Sequence, residues 1–273
     1  MIQTYNDISS TVFDFLMAPF GHDFAVFDLL LWPVVMGVVA LLVYKHVSNQ
    51  AAIARVKSQI SMHLLEIRLF SHDIVQVLKS TGSILVKNSL YLGHNLLPML
   101  VMLAPMVALM VQLVAHYAYA PSPVGSVELL RVQLDPAAGI PISKVSIELP
   151  EGVSLDAPVV RTADDQVFWR LRADRPGDHV LQVVVGDETF PKTWAVGGEP
   201  RKIPVKRLRT WEALLYPGER ALDSAAPVIS LELEIHTRPL AWFPEGEFGI
   251  LMWSLLLSLA AGFALKGFFG VTL

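Results

Sequence analysis

The chain has 273 residues, of which 53% are hydrophobic and 17% are charged, and its mean hydropathy is +0.49. A soluble chain carries about 25% charged residues, so the apolar excess indicates an integral membrane protein. The formal net charge of −4 excludes a general nucleic-acid-binding protein, which needs a concentrated basic face. The lack of cysteine excludes disulfides, thiolate metal sites and cysteine nucleophiles.

Three apolar segments are predicted to cross the membrane as helices. They cover residues 24–44, 96–117 and 248–268. At a rise of about 1.5 Å per residue, roughly 20 residues cross the hydrocarbon layer, and each segment reaches that length. Pro98 and Pro105 in the second segment are tolerable where neighbouring helices satisfy the freed backbone groups.

The basic residues predict which side of the membrane each connecting segment occupies. Residues 1–23 contain three aspartates and no lysine or arginine, whereas residues 45–95 contain six basic and two acidic residues. Because positively charged loops stay in the cytoplasm, the segment 45–95 is predicted to be cytoplasmic. Residues 118–247 and the N-terminus are then outside, and the tail 269–273 is inside. A bacterial cytoplasmic membrane is expected.

The cytoplasmic segment is predicted to form an antiparallel helical hairpin over about 48–70 and 73–92. Isoleucines recur every seven residues, and most positions three residues later are also apolar, which is typical of a coiled-coil-like seam. Asp73 and Gln76 resemble a helix start. The seam consists of Ile53, Ile60, Ile67 and Ile74 with Val56, Phe70 and Val77. The alternative is a helix pair that merely links two spans.

The two flanking regions have different patterns. The apolar cluster within 1–23 favours an amphipathic helix in the outer interface, with an irregular anchor as the alternative. Residues 118–247 show strand-like alternation between turns, which predicts an immunoglobulin-like β-sandwich and gives the chain an α plus β class. The basic stretch 201–209 in this domain is predicted to be a solvated loop, with contact to lipid headgroups or a partner as the alternative. The predicted strands are 127–134, 145–149, 167–172, 179–185 and 229–235.

The sequence offers little sign of catalytic chemistry. It has no glycine-rich phosphate loop after a strand and no HExxH, GxSxG or EF-hand pattern, so we expect neither an enzyme nor a bound cofactor or metal. Polar residues inside apolar spans usually face a partner or lie near the headgroups, and small residues at four-residue spacing form helix-packing faces. We assign Asp28, Gln112 and His116 to the outer headgroup region, and Ser254, Ser258 and Gly262 to helix packing.

Residues 10–119 and 248–270 resemble the YidC/Oxa superfamily of membrane-protein insertases, in its reduced three-span branch. The resemblance rests on the apolar segment before the first span, the basic exit from that span, the hairpin and the proline-containing second span. These cues lie at 13–20, 45–57, 62–73 and 97–106. Bacterial members carry an arginine inside the groove between their spans, and this first span has no basic residue before Lys45.

The resemblance implies a groove open to the cytoplasm and lipid, and a hairpin that receives an incoming chain without nucleotide hydrolysis. Its partners would be lipid and other membrane proteins or nascent chains, within a complex. The candidate substrate-binding residues are Arg55, Lys57, Met62, Arg68 and Phe70 in the hairpin, and Met99, Met102, Met106 and Met110 in the second span. The alternative for the methionines is that they face lipid or a core. The alternatives for the function are a scaffolding subunit whose sandwich binds a partner, and a sensor that couples a ligand on the sandwich to the hairpin.

Overall fold

The computed structural model describes residues 2–17, 25–240 and 242–271. Residues 18–24, at the junction of the predicted interfacial segment and first span, and residues 272–273 of the predicted tail lie outside the described residues. The helices within the described part are α1 Ile2–Met17, α2 Ala25–Val47, α3 Gln50–Leu69, α4 Ile74–Tyr117 and α5 Gly246–Leu265. The strands are β1 Val127–Leu134, β2 Val145–Glu148, β3 Val153–Leu155, β4 Val160–Arg161, β5 Gln166–Ala173, β6 Gly177–Val185, β7 Glu188–Val196, β8 Lys206–Leu208 and β9 Val228–Leu233.

Three helices, α2, α4 and α5, are long and apolar enough to cross a membrane. They confirm the prediction of three membrane-length segments in an α plus β chain and indicate an integral membrane protein. The chain divides into two compact units. One unit contains Met1–Leu29 and Leu109–Trp253, and the other contains Leu30–Ala108 and Ser254–Leu273.

The chain reverses between α3 and α4, where the hairpin was predicted to turn, because the Ser80 hydroxyl of α4 reaches back to Glu66 of α3 at 2.8 Å. The Asp73 side chain accepts hydrogen bonds from the backbone N–H groups of Val75 and Gln76, at 3.0 and 3.1 Å, and so caps the start of α4. The structure differs from the prediction further along, because α4 continues without a break from the hairpin into the apolar segment. Asn95 donates to the Tyr91 carbonyl at 2.6 Å, one turn back in the same helix, and does not cap a helix end.

The predicted coiled-coil seam does not extend through the turn. Ile53 and Val56 are buried, but Phe70 is 48% exposed and Ile74 is 74% exposed. Ile74 is the first residue of a new helix after the chain reverses, so the seven-residue spacing measured across the turn does not place it on the same face.

Residues 127–233 form two antiparallel sheets. The larger has the strand order β3-β5-β1-β9-β8, with β4 also paired to β5, and the smaller has the order β2-β6-β7. Alternating residues of both sheets meet in one hydrophobic core, which includes Leu130 and Trp169 from the larger sheet and Leu181 and Trp194 from the smaller. The alternation arises because successive side chains of a strand point to opposite faces.

Candidate functional site

Helices α2 and α5 approach closely at a glycine. A Cβ atom at Gly37 would lie 2.4 Å from the backbone oxygen of Ser258 and 3.1 Å from the Cβ of Ala261. A Cβ at Gly262 would lie 3.8 Å from the Gly37 oxygen. Ser254 and Ser258 are buried on the same stripe of α5. Small residues on both helices therefore permit the close backbone contact.

A cavity of about 370 Å³ lies beside this contact, between α2, α4 and α5. Its lining is mainly apolar and includes several flexible methionines, whose unbranched side chains adapt to irregular surfaces. The lining includes Met36 and Gly37 from α2, Met99, Met102 and Met106 from α4, and Ser258 from α5.

The cavity also has a polar part. The Tyr44 hydroxyl donates a hydrogen bond to the Asn95 side-chain oxygen, and the ring of Tyr91 lines the same wall. Tyr44 also belongs to a small apolar cluster with Leu41 and Ile53. The hydrogen bond links α2 to α4, and it leaves the cavity with a few polar groups among many apolar ones, as is common for ligand pockets.

The structure separates the predicted substrate-binding residues into two groups. Met99, Met102 and Met106 line the cavity, whereas Met110 is buried and does not line it. The five hairpin candidates also lie outside the cavity lining, and their side chains are exposed. They are Arg55, Lys57, Met62, Arg68 and Phe70.

The hairpin helices are joined by a polar contact. One oxygen of the Glu66 carboxylate lies 2.9 Å from Nδ1 of His63 and accepts a hydrogen bond from the Ser80 hydroxyl at 2.8 Å. The bonds from His63 and then Ser80 lower the pKa of Glu66. Ser80 is buried at this contact. Its hydroxyl, the polar group that α4 contributes to the hairpin interior, is hydrogen-bonded, as buried polar groups generally are.

In the other unit, the polar residues of the apolar segments bind protein groups. Asp28 accepts a hydrogen bond from the Tyr117 hydroxyl. Gln112 donates to the Ser9 hydroxyl at 3.2 Å, and Nε2 of His116 lies 2.9 Å from the Asp14 carboxylate. Helix α1 therefore supplies partners to polar groups of α4.

Lys202 joins the same contact, although the sequence analysis assigned it to a solvated loop. Its ammonium donates to the Ser10 hydroxyl at 3.0 Å and to the Gln112 side-chain oxygen at 2.9 Å, and it lies 3.4 Å from Asp14. Burial lowers the pKa of Lys202, and the Asp14 carboxylate opposes that shift. The loop prediction was wrong at Lys202 because its partner Asp14 lies 188 positions away, and the local sequence pattern carries no information on so distant a contact.

The rest of the basic stretch 201–209 is also bound to protein groups and is not a freely solvated loop. Arg201 pairs with Asp178, Lys206 with Glu232, and Arg209 with Asp135. Arg207 donates to the carbonyl oxygens of Arg220 and Pro191, each at 2.7 Å.

Replacing Lys202 with methionine is expected to loosen α1. The variant keeps the long side chain but removes the donor that Ser10, Asp14 and Gln112 share. Of these three, Gln112 is buried, and leaving a buried acceptor unpaired costs about 1–3 kcal/mol. Amide hydrogen exchange across Ile2–Met17 should accelerate at least tenfold. Arg201→Met is the matched control, because Arg201 contacts Gly197, Glu199 and Asp178 and not α1. Equal exchange in both variants would contradict this role of Lys202.

No protein-family model, curated protein or solved structure matches the chain. The resemblance to the insertase superfamily stays a prediction from the sequence cues.

Proposed function

We propose that this chain is an insertase-like integral membrane protein that helps other membrane proteins insert or assemble, without nucleotide hydrolysis. The observation that carries the proposal is the methionine-lined cavity between α2, α4 and α5. In this proposal, side chains of a client helix enter the cavity and its backbone stays outside, since a volume of about 370 Å³ is of the size that holds a small ligand.

The cavity has the physical properties that such a client requires. Methionine side chains repack around different apolar shapes, so one surface accepts clients of different sequence. Tyr44 and Asn95 offer hydrogen bonds to a polar client group, which is costly to leave unpaired in lipid. The apolar surface of the client provides the driving force for leaving water.

The proposed topology places the hairpin in the cytoplasm and the two-sheet domain, as an immunoglobulin-like sandwich, on the opposite side. The N-terminus is then outside and the C-terminus inside. The excess of basic residues in 45–95 supports this orientation. The exposed hairpin residues Arg55, Lys57, Met62, Arg68 and Phe70 would meet a client before it reaches the cavity.

Photocrosslinking from two adjacent positions of α4 tests the proposal. Met99 and Leu100 have similar exposure, 62% and 57%, but only Met99 lines the cavity. A photoreactive residue at Met99 should capture ribosome-bound nascent membrane proteins at least fivefold more often than one at Leu100. Equal capture at the two positions, or no nascent chain at either, would contradict an insertase role.

A scaffolding role is the second candidate, favoured by a cleft on the two-sheet domain. The cleft has a volume of about 460 Å³ and includes Glu128, Arg170, Glu234 and His236. Glu128 is buried and lies 2.9 Å from Nδ1 of His236, and Arg170 also lines the cleft, so acidic and basic side chains are both available to a partner. Capture of stable partner proteins from Glu234, with no nascent chains from Met99, would favour scaffolding.

A further inference from the structure

Helix α3 carries an exposed apolar stripe on the face opposite its buried side. Met62, Leu65 and Leu69 follow helical spacing and are 49%, 66% and 75% exposed. At about 100° per residue, Leu65 lies roughly 180° around the helix from buried Val56. A helix surrounded by water has a polar outer face, so this stripe requires an apolar environment. We call it the outer stripe.

Basic side chains surround the outer stripe, and two of the three lie before its start along the helix. In the helical projection, Lys57 and Arg68 lie on one side and Arg55 lies on the other, and all three are exposed. The segment 45–95 contains two acidic residues, and one of them, Glu66, is already bound by His63 and Ser80. The exposed charged residues of α3 around this apolar stripe are therefore positive, with Arg68 beside it and Arg55 and Lys57 before its start.

The position of α3 brings this face close to the end of a membrane-length helix. Helix α3 begins three residues after the last residue of α2. Ile53 shares an apolar cluster with Leu41 and Tyr44 of α2. In one straight helix residues 41 and 53 would be about 18 Å apart, so the chain turns sharply and the first turns of α3 lie beside the last turns of α2.

We propose that the outer stripe of α3 docks onto an anionic lipid surface. Met62, Leu65 and Leu69 enter the boundary between headgroups and acyl chains, and the flanking arginines and lysine contact lipid phosphates. Charge decides between the candidate occupants. A second copy of the chain would bring two positive faces together, whereas an anionic bilayer complements them. The inference does not rest on the insertase proposal.

The full chain provides a clean test because it has no natural cysteine. Leu65→Cys and Gln59→Cys are labelled with the same environment-sensitive fluorophore in nanodiscs of phosphatidylcholine, with or without 30% phosphatidylglycerol. Gln59 is exposed on the same helix but lies about 120° around it from Leu65. Quenching by nitroxide-labelled lipid should be at least twofold stronger at position 65 in the anionic discs, and high salt should weaken it. Position 59 should change little.

A triple variant distinguishes lipid binding from other causes. Arg55→Gln, Lys57→Gln and Arg68→Gln together should remove the difference between anionic and neutral discs at position 65. Quenching that is weak in both lipids, equal at positions 59 and 65, or dependent on the number of chains per disc would overturn the proposal. Crosslinking from Met99 is a separate measurement, so failure of lipid docking is distinguishable from failure of the proposed function.

Discussion

Replacing Gly37 with alanine is expected to be among the most disruptive single-methyl changes in this chain. The new Cβ would lie 2.4 Å from the backbone oxygen of Ser258, far inside van der Waals contact. A backbone oxygen in a helix cannot rotate away as a flexible side chain can, so α5 must shift as a unit. Overpacking of this kind costs about 1–3 kcal/mol and sometimes more.

Gly93→Ala is the matched control for this prediction. Gly93 lies inside α4, but a Cβ there has no atom of the described residues within 4 Å, apart from its chain neighbours and the nearby backbone of its own helix. The same added methyl should stabilise α4 by about 0.5–1 kcal/mol, because alanine has the higher helix propensity. Thermal unfolding in detergent should therefore move in opposite directions for the two variants. Equal shifts of the unfolding temperature in the two variants would contradict the close contact between α2 and α5.

The apolar helices were predictable because length and composition suffice to define them. A run of about 20 apolar residues has few structural alternatives in a membrane protein. The resemblance implied one surface of Met99, Met102, Met106 and Met110, which share a helix face by their spacing. Three of them line the cavity, and Met110, on the same face, does not. Gly37 was not singled out, because its importance depends on Ser258, which lies 221 positions later in the chain.

Strands were predictable where alternation was regular and were missed where it was not. The predicted segment 127–134 coincides with β1, and the other four overlap β2, β5, β6 and β9 with ends that differ by one or two residues. Strand β7 was missed because Pro191 and Lys192 interrupt its pattern, although Lys192 points into the interior and is completely buried. A lysine at that position normally predicts a solvent-facing side chain, and its partner, Glu219, follows 27 positions later.

Replacing Glu219 with glutamine is expected to destabilise the two-sheet domain strongly. The Lys192 ammonium is fully buried, pairs with Glu219, and donates to the Pro204 carbonyl at 2.7 Å. Removing the negative charge leaves a buried ammonium without its counter-charge, and breaking such a pair costs about 3–5 kcal/mol. Unfolding by urea, followed by tryptophan fluorescence, measures the loss. Glutamine preserves an acceptor for the Thr193 N–H, which the carboxylate binds at 2.6 Å.

The double variant Lys192→Met with Glu219→Gln should recover most of that loss, because it removes the unpaired buried charge while keeping a long apolar side chain in the core.

The pH dependence of stability provides a second test. Burial lowers the pKa of Lys192, and Glu219 opposes the shift, so Glu219→Gln should lower the pKa further. Lys192 then has a lower pKa in the folded variant than in its unfolded chain. Between these two pKa values, the unfolded chain binds more protons than the folded one. Stability of Glu219→Gln should therefore rise as the pH increases towards 10, and its deficit should shrink. A deficit that stays constant with pH would mean that lost packing, and not the buried charge, causes the destabilisation.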